Sequence, residues 1–185
     1  MNDIIQLKNP RTETYQQCKS LVFDENFPWY FTKKSVPIHS NYDRSKHTEI
    51  SFFAHGLLTR PHYSTGHRYP VPESEYLEYY ERMLMEIFEC NNIQAGCIFR
   101  MCLNLVCPCS GVQLTVPHQD HIYPHKNILV YFTNAGGETY CEGDVHDPRE
   151  DDIIIFEGEH YHKLPEKDAR IVFVATYLWN WTAVN

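Results

Sequence analysis

The sequence lacks long hydrophobic runs, an excess of basic residues and linkers rich in glycine or serine. No stretch approaches the roughly 18 apolar residues that a membrane-spanning helix needs. The first residues also lack the basic-then-apolar pattern of a signal peptide, so we expect a cytoplasmic protein without a membrane partner. The formal net charge is −8. Since nonspecific nucleic-acid binding depends on Lys and Arg that neutralise phosphates, we expect no nucleic-acid partner.

The composition instead indicates one folded domain that is unusually rich in histidine. The chain has 185 residues, of which 43% are apolar and 14% aromatic, and this excludes intrinsic disorder. Six of its 11 histidines fall between His118 and His162. The seven cysteines are odd in number and follow no export signal, which favours reduced thiols. Cys107 and Cys109 are spaced more closely than the usual cysteine pair of a zinc site.

Residue patterns predict two helices followed by a series of short strands. We expect a short helix over 12–22 and a longer one over 73–89, whose apolar stripe is Leu77, Tyr80, Leu84 and Phe88. A buried strand is expected over 51–57. Later strands are expected over 97–106, 113–116, 128–133, 138–141, 153–156 and 171–179. This spacing predicts an α+β, mostly β fold: a single domain over 1–185, with supporting elements in 1–95 and a jelly-roll core in 96–182.

The tripeptide His118-Gln119-Asp120 is the clearest chemical motif. Residues two apart on an extended segment point to the same side, so His118 and Asp120 can address one point in space. An imidazole and a carboxylate suit Fe(II), Mn or Zn. A further histidine about 40 residues downstream would complete the two-histidine, one-carboxylate triad of non-haem Fe(II) oxygenases, which leaves coordination positions open.

From His118 to Trp179 the sequence resembles the 2-oxoglutarate/Fe(II)-dependent dioxygenases. Within them it is similar to the prolyl-hydroxylase-like branch and to its short phage and bacterial versions. The matching pieces are His118-Gln119-Asp120, the runs 128–134, 136–139 and 152–158, a distal histidine, and the run 170–174. The resemblance implies a double-stranded β-helix (jelly roll, cupin-like) that uses Fe(II), 2-oxoglutarate and O2 to hydroxylate a C–H bond. A peptidyl proline is one implied substrate, and a free amino acid or other small metabolite is another.

The resemblance also assigns roles to individual residues. His118 and Asp120 match the proximal metal ligands. Relatives place the distal ligand shortly before a proline and eight to ten residues before a basic residue, which favours His162 and leaves His160 as the alternative. Both histidines lie on one face of an extended segment, so alternation does not separate them.

Three further residues are expected to hold the cosubstrate. Arg170 matches the arginine that pairs with the distal carboxylate of 2-oxoglutarate, and an arginine buried in an apolar strand needs an anionic partner. Tyr131 matches the tyrosine that completes that site. Relatives often carry a tyrosine near the position of Cys107, and Asn104 is the substitute we expect here.

Two other functions remain open at this stage. One is a cupin-like metal enzyme that does not use 2-oxoglutarate, in which His160 and His162 could both bind metal. The other is a jelly-roll binding domain without catalytic activity.

Overall fold

The computed structural model describes residues 4–33, 42–43, 45–61, 68–111 and 113–179. Within them the chain forms helices α1 (Glu13–Leu21) and α2 (Leu77–Cys90). The strands are β1 (Ile4–Leu7), β2 (Tyr30–Thr32), β3 (His47–Thr48), β4 (Phe52–Leu58), β5 (Ala95–Val106), β6 (Leu114–Thr115), β7 (Lys126–Tyr131), β8 (Thr139–Cys141), β9 (Asp144–His146), β10 (Ile153–Phe156), β11 (His160–His162) and β12 (Arg170–Trp179).

The strands form a large antiparallel sheet and two smaller ones. The large sheet has seven strands in the order β1-β10-β7-β12-β5-β4-β2. The smaller sheets have the orders β11-β8-β9 and β3-β6. Isolated bridges from Leu114 to Lys163 and from His118 to His160 join the segment around β6 to β11. The mostly β, jelly-roll architecture predicted from the sequence is therefore confirmed.

Strand β12 separates two cores, because alternate side chains on a strand point to opposite faces of the sheet. Phe173 and Tyr177 face the helices, where Tyr80 stacks on Phe173 with ring centroids 5.7 Å apart and Phe88 contacts Tyr177. Val172 and Val174 belong to the second core, on the opposite face. The helices thus cover one face of the large sheet, and the other face is left to line a cavity.

Helix α2 begins four residues later than the sequence predicts. Pro72 forms a bridge with Leu58, and the Glu73 N–H donates to the Leu57 carbonyl. These residues therefore continue the pairing of β4 instead of starting the helix. The predicted apolar stripe is otherwise confirmed, since Tyr80, Leu84 and Phe88 are buried. None of the helices among the described residues is both long and apolar enough to cross a membrane.

Asp151 joins α1 to the turn that precedes β10. Its carboxylate accepts hydrogen bonds from Tyr15 Oη at 2.7 Å and from Lys19 Nζ, and its carbonyl accepts one from Asn9. Burial alone raises the pKa of this carboxyl. The hydrogen bonds from Lys19 and Tyr15 lower the pKa by more than burial raises it, so the net shift is downward. The folded state thus favours ionised Asp151.

We expect Asp151→Asn to destabilise the protein by about 1 to 2 kcal/mol at neutral pH, because charge-assisted hydrogen bonds are lost. A carboxyl with a lowered folded pKa contributes stability above its unfolded pKa of about 3.9 and loses it as the pH falls through the folded pKa. Urea unfolding of both proteins from pH 7 to pH 3 should therefore show a difference in the free energy of unfolding that is constant down to about pH 4 and becomes smaller below it. A difference that persists unchanged at pH 3 would contradict this assignment.

Candidate metal centre and adjoining cavity

His118 and His160 are held opposite each other by their own backbones. The His118 N–H donates to the His160 carbonyl at 2.9 Å, and the His160 N–H donates back at 3.0 Å. Residues that exchange both hydrogen bonds across an antiparallel pair direct their side chains to the same face. The two imidazole centroids lie 4.4 Å apart as a result.

Both imidazoles have Nδ1 next to a backbone carbonyl. His118 Nδ1 lies 2.9 Å from the Val116 carbonyl oxygen, and His160 Nδ1 lies 3.3 Å from that of Gly158. Since a carbonyl only accepts, Nδ1 carries a proton in each ring, and in a neutral ring this leaves the lone pair on Nε2. Burial lowers the pKa of His160 to about 4, so its ring is neutral at physiological pH. This is the protonation state in which histidine binds a metal.

Asp120 completes the group as an ionised carboxylate. Burial raises its pKa, but Arg100, the two histidines and Arg60 lower it more, and the net shift is strongly downward. Asp120 Oδ1 accepts a hydrogen bond from Arg100 Nη1 at 2.9 Å and lies 3.5 Å from Arg60 Nη2. Oδ2 is 3.8 Å from His160 Nε2. One oxygen is thus held by arginines while the other faces the histidines.

The ligand atoms of His118, Asp120 and His160 lie within 4.8 Å of one another. Two imidazoles and one carboxylate at this spacing fit a first-row divalent metal such as Fe(II). The distal member of this group is His160, whereas the sequence spacing favours His162. The structure therefore supports the alternative that the sequence left open.

His162 lies beside this group and bonds elsewhere. Its Nδ1 is 2.9 Å from Thr139 Oγ1, which is itself 2.7 Å from the Tyr131 hydroxyl. The His162 ring centroid is 5.4 Å from that of His160 and 6.3 Å from that of His118. Burial and the nearby Arg170 charge lower the pKa of His162 well below its ordinary value, so it is neutral as well. His162 therefore links the histidine group to Tyr131.

A cavity of about 250 Å³ adjoins the histidine group and extends to Arg170. The predicted residues His118, Asp120, His162, Arg170, Tyr131 and Asn104 all line it. Apolar side chains of β7 and β12, among them Leu129 and Val172, form part of its wall. Cys107, by contrast, lies at the exposed end of β5.

Arg170 is 4% exposed and has no carboxylate partner among the described residues. Its Nη1 donates to the Gly137 carbonyl at 2.7 Å and to the Lys163 carbonyl at 3.2 Å, while its buried Nε has no hydrogen-bond partner in the part of the chain that the structure describes. Gly137 has a φ of +87°, and a Cβ there would come within 2.9 Å of Arg170 Nη1. Glycine thus allows the close approach that holds the guanidinium, whose unpaired donor and charge remain available for an anion.

Three further residues contribute to this site. From the sequence alone, Arg60 and Arg100 could reach an anionic substrate, although single arginines on an acidic protein are usually solvated; in the structure both line the cavity and contact Asp120. Thr139 was seen only as part of a matching segment, although it connects Tyr131 with His162. The sequence offered one signal for a buried arginine, namely an arginine within a predicted strand of mostly apolar residues. Arg100 meets this condition, and Arg60, which follows a strand, does not.

The other histidines lie outside the metal group. His121 and His125 pack against each other and Tyr123, and His121 bonds Thr176. His146 faces Asp152, with His146 Nε2 3.3 Å from a carboxylate oxygen. His39, His62 and His67 lie outside the described residues.

Comparison with known proteins identifies the fold. No protein-family model matches the sequence, and no curated protein matches it closely enough to be reported. Among solved structures, the chain is similar to an oxidoreductase of the 2OG-Fe(II) oxygenase family from Burkholderia pseudomallei. That match has a TM-score of 0.61 and 11% identity, and it covers 95% of this chain and 84% of the other.

A second similar structure is a prolyl hydroxylase from Trichoplax adhaerens in complex with a peptide fragment of the hypoxia inducible factor oxygen degradation domain. It has a TM-score of 0.53 and 12% identity, with coverage of 96% of this chain and 84% of the other. At sequence identities of 11% and 12%, these similarities establish a shared fold and not a shared function. The chain has the fold of 2-oxoglutarate/Fe(II)-dependent oxygenases, as its motifs indicated, while the phage and bacterial type stays a prediction.

The pairing of Asp120 with Arg100 predicts a strong energetic coupling in the metal-free protein. Arg100→Met leaves a buried carboxylate with one partner fewer, and we expect a loss of about 3 kcal/mol in the free energy of unfolding. In the Asp120→Asn background the same change should cost about 1.5 kcal/mol less. Urea unfolding of the four proteins in this double-mutant cycle measures the difference. Strictly additive effects would show that the two side chains are not coupled.

Proposed function

We propose that the protein is a non-haem Fe(II) oxygenase that couples oxidative decarboxylation of 2-oxoglutarate to hydroxylation of a substrate C–H bond. The observation that carries this proposal is one cavity that contains both a His-Asp-His group and a buried arginine that pairs with no carboxylate of the described residues. The likeness to oxygenases at the level of fold supports it. The proposed reaction converts 2-oxoglutarate, O2 and substrate to succinate, carbon dioxide and hydroxylated product.

In this proposal His118, Asp120 and His160 hold the metal. The carbonyls of Val116 and Gly158 hold the Nδ1–H groups of the two histidines, so that the Nε2 atoms are the ones turned to the metal. Arg100 holds Asp120 Oδ1 and keeps the carboxylate ionised. Fe(II) bound by three protein ligands supplies oxygen chemistry that no side chain offers and keeps positions for exogenous ligands.

Arg170 is proposed to bind the distal carboxylate of 2-oxoglutarate. A planar guanidinium suits a carboxylate, and the partnerless Nε gives it a donor to use. The Tyr131 hydroxyl is placed nearby, and burial raises its pKa to about 12, so it stays protonated and able to donate. Asn104 adds an amide to the cavity wall. Sequence spacing favoured His162 as a metal ligand. In this proposal His162 instead holds Thr139, which in turn holds the Tyr131 hydroxyl.

The substrate is proposed to be a small molecule or a peptide. The prolyl hydroxylase of similar fold holds a peptide, so a peptidyl proline is one candidate. Leu129, Val172 and Val174 give the cavity apolar walls, and a substrate bound against them would exclude water. Such exclusion protects a reactive centre from side reactions whichever substrate is used.

Anaerobic addition of Fe(II) and 2-oxoglutarate should produce the weak visible charge-transfer band of the chelate. Arg170→Met should weaken 2-oxoglutarate binding at least about tenfold while Fe(II) binding is unchanged, because a charge-assisted contact is lost. Titration of the band measures both constants. If saturating 2-oxoglutarate produces no band in the wild-type protein, and Arg170 proves dispensable, a cupin-like metal enzyme of other chemistry becomes the better description.

The distal ligand is tested by comparing His160→Ala with His162→Ala. We expect His160→Ala to lower Fe(II) affinity at least about a hundredfold, since a directly coordinating group is lost and even outer contacts can cost 10- to 100-fold. His162→Ala should keep Fe(II) and weaken 2-oxoglutarate instead. Anaerobic equilibrium dialysis measures the metal affinity. If His162→Ala loses iron and His160→Ala retains it, the choice made from sequence spacing is the correct one.

A further inference from the structure

The cavity carries more positive charge than the proposed cosubstrate can neutralise. Three arginines line it, Arg60, Arg100 and Arg170, and Asp120 is the one carboxylate among its described lining residues. The proposed metal adds two positive charges. A 2-oxoglutarate dianion offsets two charges, so a surplus remains within a protein whose formal net charge is −8.

Arg60 and Arg100 converge on the same carboxylate. Arg100 Nη1 donates to Asp120 Oδ1 at 2.9 Å. Arg60 Nη1 donates to the Asp120 backbone carbonyl at 2.8 Å, and its Nη2 is 3.5 Å from Oδ1. One arginine is enough to hold Asp120 Oδ1. The single negative charge of Asp120 cannot neutralise a second arginine as well, and it neutralises even less of that charge when the carboxylate also binds a metal. Each guanidinium has five N–H donors, so the pair retains donors beyond those that Asp120 takes.

Burial makes this surplus costly. The side chains of Arg60 and Arg100 are 32% and 19% exposed, so water hydrates them only in part. Partly desolvated cations that lack a counter-charge are unfavourable unless an anion completes the site. Arg60 is the more exposed of the two, which places it where a molecule entering the cavity can reach it.

The arginine pair is distinct from the site proposed for 2-oxoglutarate. In the register of β12 with β5, Arg170 lies opposite Val106 and Thr176 lies opposite Arg100. Six residues of β5 therefore separate the two positions, roughly 20 Å along an extended strand. The metal group borders the same cavity. The two arginine positions on the sheet are therefore well separated, and each contributes its side chain to the cavity.

We propose that Arg60 and Arg100 bind an anionic group, a carboxylate or a phosphate, of a small-molecule substrate. This inference rests on the proposed function, because it treats the Arg170 site as filled by 2-oxoglutarate. The cavity of about 250 Å³ lies just below the range of 300 to 1,000 Å³ typical of sites for drug-sized ligands, so it suits a small acid or phosphate ester better than a folded peptide segment.

The experiment uses the full-length protein loaded anaerobically with Fe(II) and saturating 2-oxoglutarate, so the chelate band first reports on the proposed function. Acetate, inorganic phosphate and the neutral analogue acetamide are then titrated at constant ionic strength. Binding is followed as a saturable shift of the band and a rise in the thermal unfolding midpoint. We expect one or both anions to bind and acetamide not to bind. The comparison of acetate with phosphate shows which group the site prefers.

Arg60→Gln should weaken the anion at least about tenfold, because charge-assisted bonds are lost. Arg82→Gln is the matched control: Arg82 is exposed on α2 and pairs with Glu86, so anion binding should be unchanged. The proposal is overturned if acetamide binds as well as the anions, or if Arg60→Gln binds them like the wild type. It is equally overturned if Arg60→Gln loses the band, since Arg60 then only positions Asp120.

A missing band in the wild-type protein counts against the proposed function and not against the arginine pair. In that case the same titration in the metal-free protein, with Arg60→Gln beside it, still tests whether the pair binds an anion. Anion binding that depends on Arg60 supports the inference there, and binding that does not depend on it overturns the inference.

Discussion

The double backbone hydrogen bond between His118 and His160 is the constraint on which the candidate site depends. It joins two segments 42 residues apart in the chain and sets their imidazoles 4.4 Å from each other before any metal is considered. The carbonyls of Val116 and Gly158 then fix each ring, and Arg100 fixes Asp120. Because these contacts are made within the protein, the ligand atoms are held close together without a metal. Preorganisation of this kind lowers the entropy lost when a ligand binds.

The cavity beside this group exists because alternate residues of β12 pack into two different hydrophobic cores, one on each face of the large sheet. Residues facing the helices, such as Phe173, are fully buried and hold the sheet against the helices. The alternate residues Val172 and Val174 leave space, and Arg170 at the start of the strand brings a charge to the interior. Substitutions on the helix side would thus act through stability, and those on the cavity side through binding. Period-two alternation is the physical origin of this division.

Sequence patterns predicted the fold class, the helical stripe and the site residues lining the cavity, because each depends on local periodicity or on a short motif. The late start of α2 was not predictable, since the pairing of Glu73 with Leu57 is a tertiary contact that overrides a good helix signal. Strand β11 is only three residues long, and its pairing with β8 gives no periodic signal. For the same reason the sequence left His160 and His162 as alternatives, whereas the backbone pairing with His118 is made by His160 alone among the described residues.

The arginines around Asp120 show what a single sequence leaves out. A solvated arginine and a buried one look alike in a sequence, because the difference is made by the partner that folding brings near. Here Arg60 and Arg100 reach Asp120 from different parts of the chain. A carboxylate that must stay ionised while buried needs one such cation, and a metal beside it reduces the need. The second cation is therefore not needed to keep Asp120 ionised, which is why we assign its charge to the recognition of an anion.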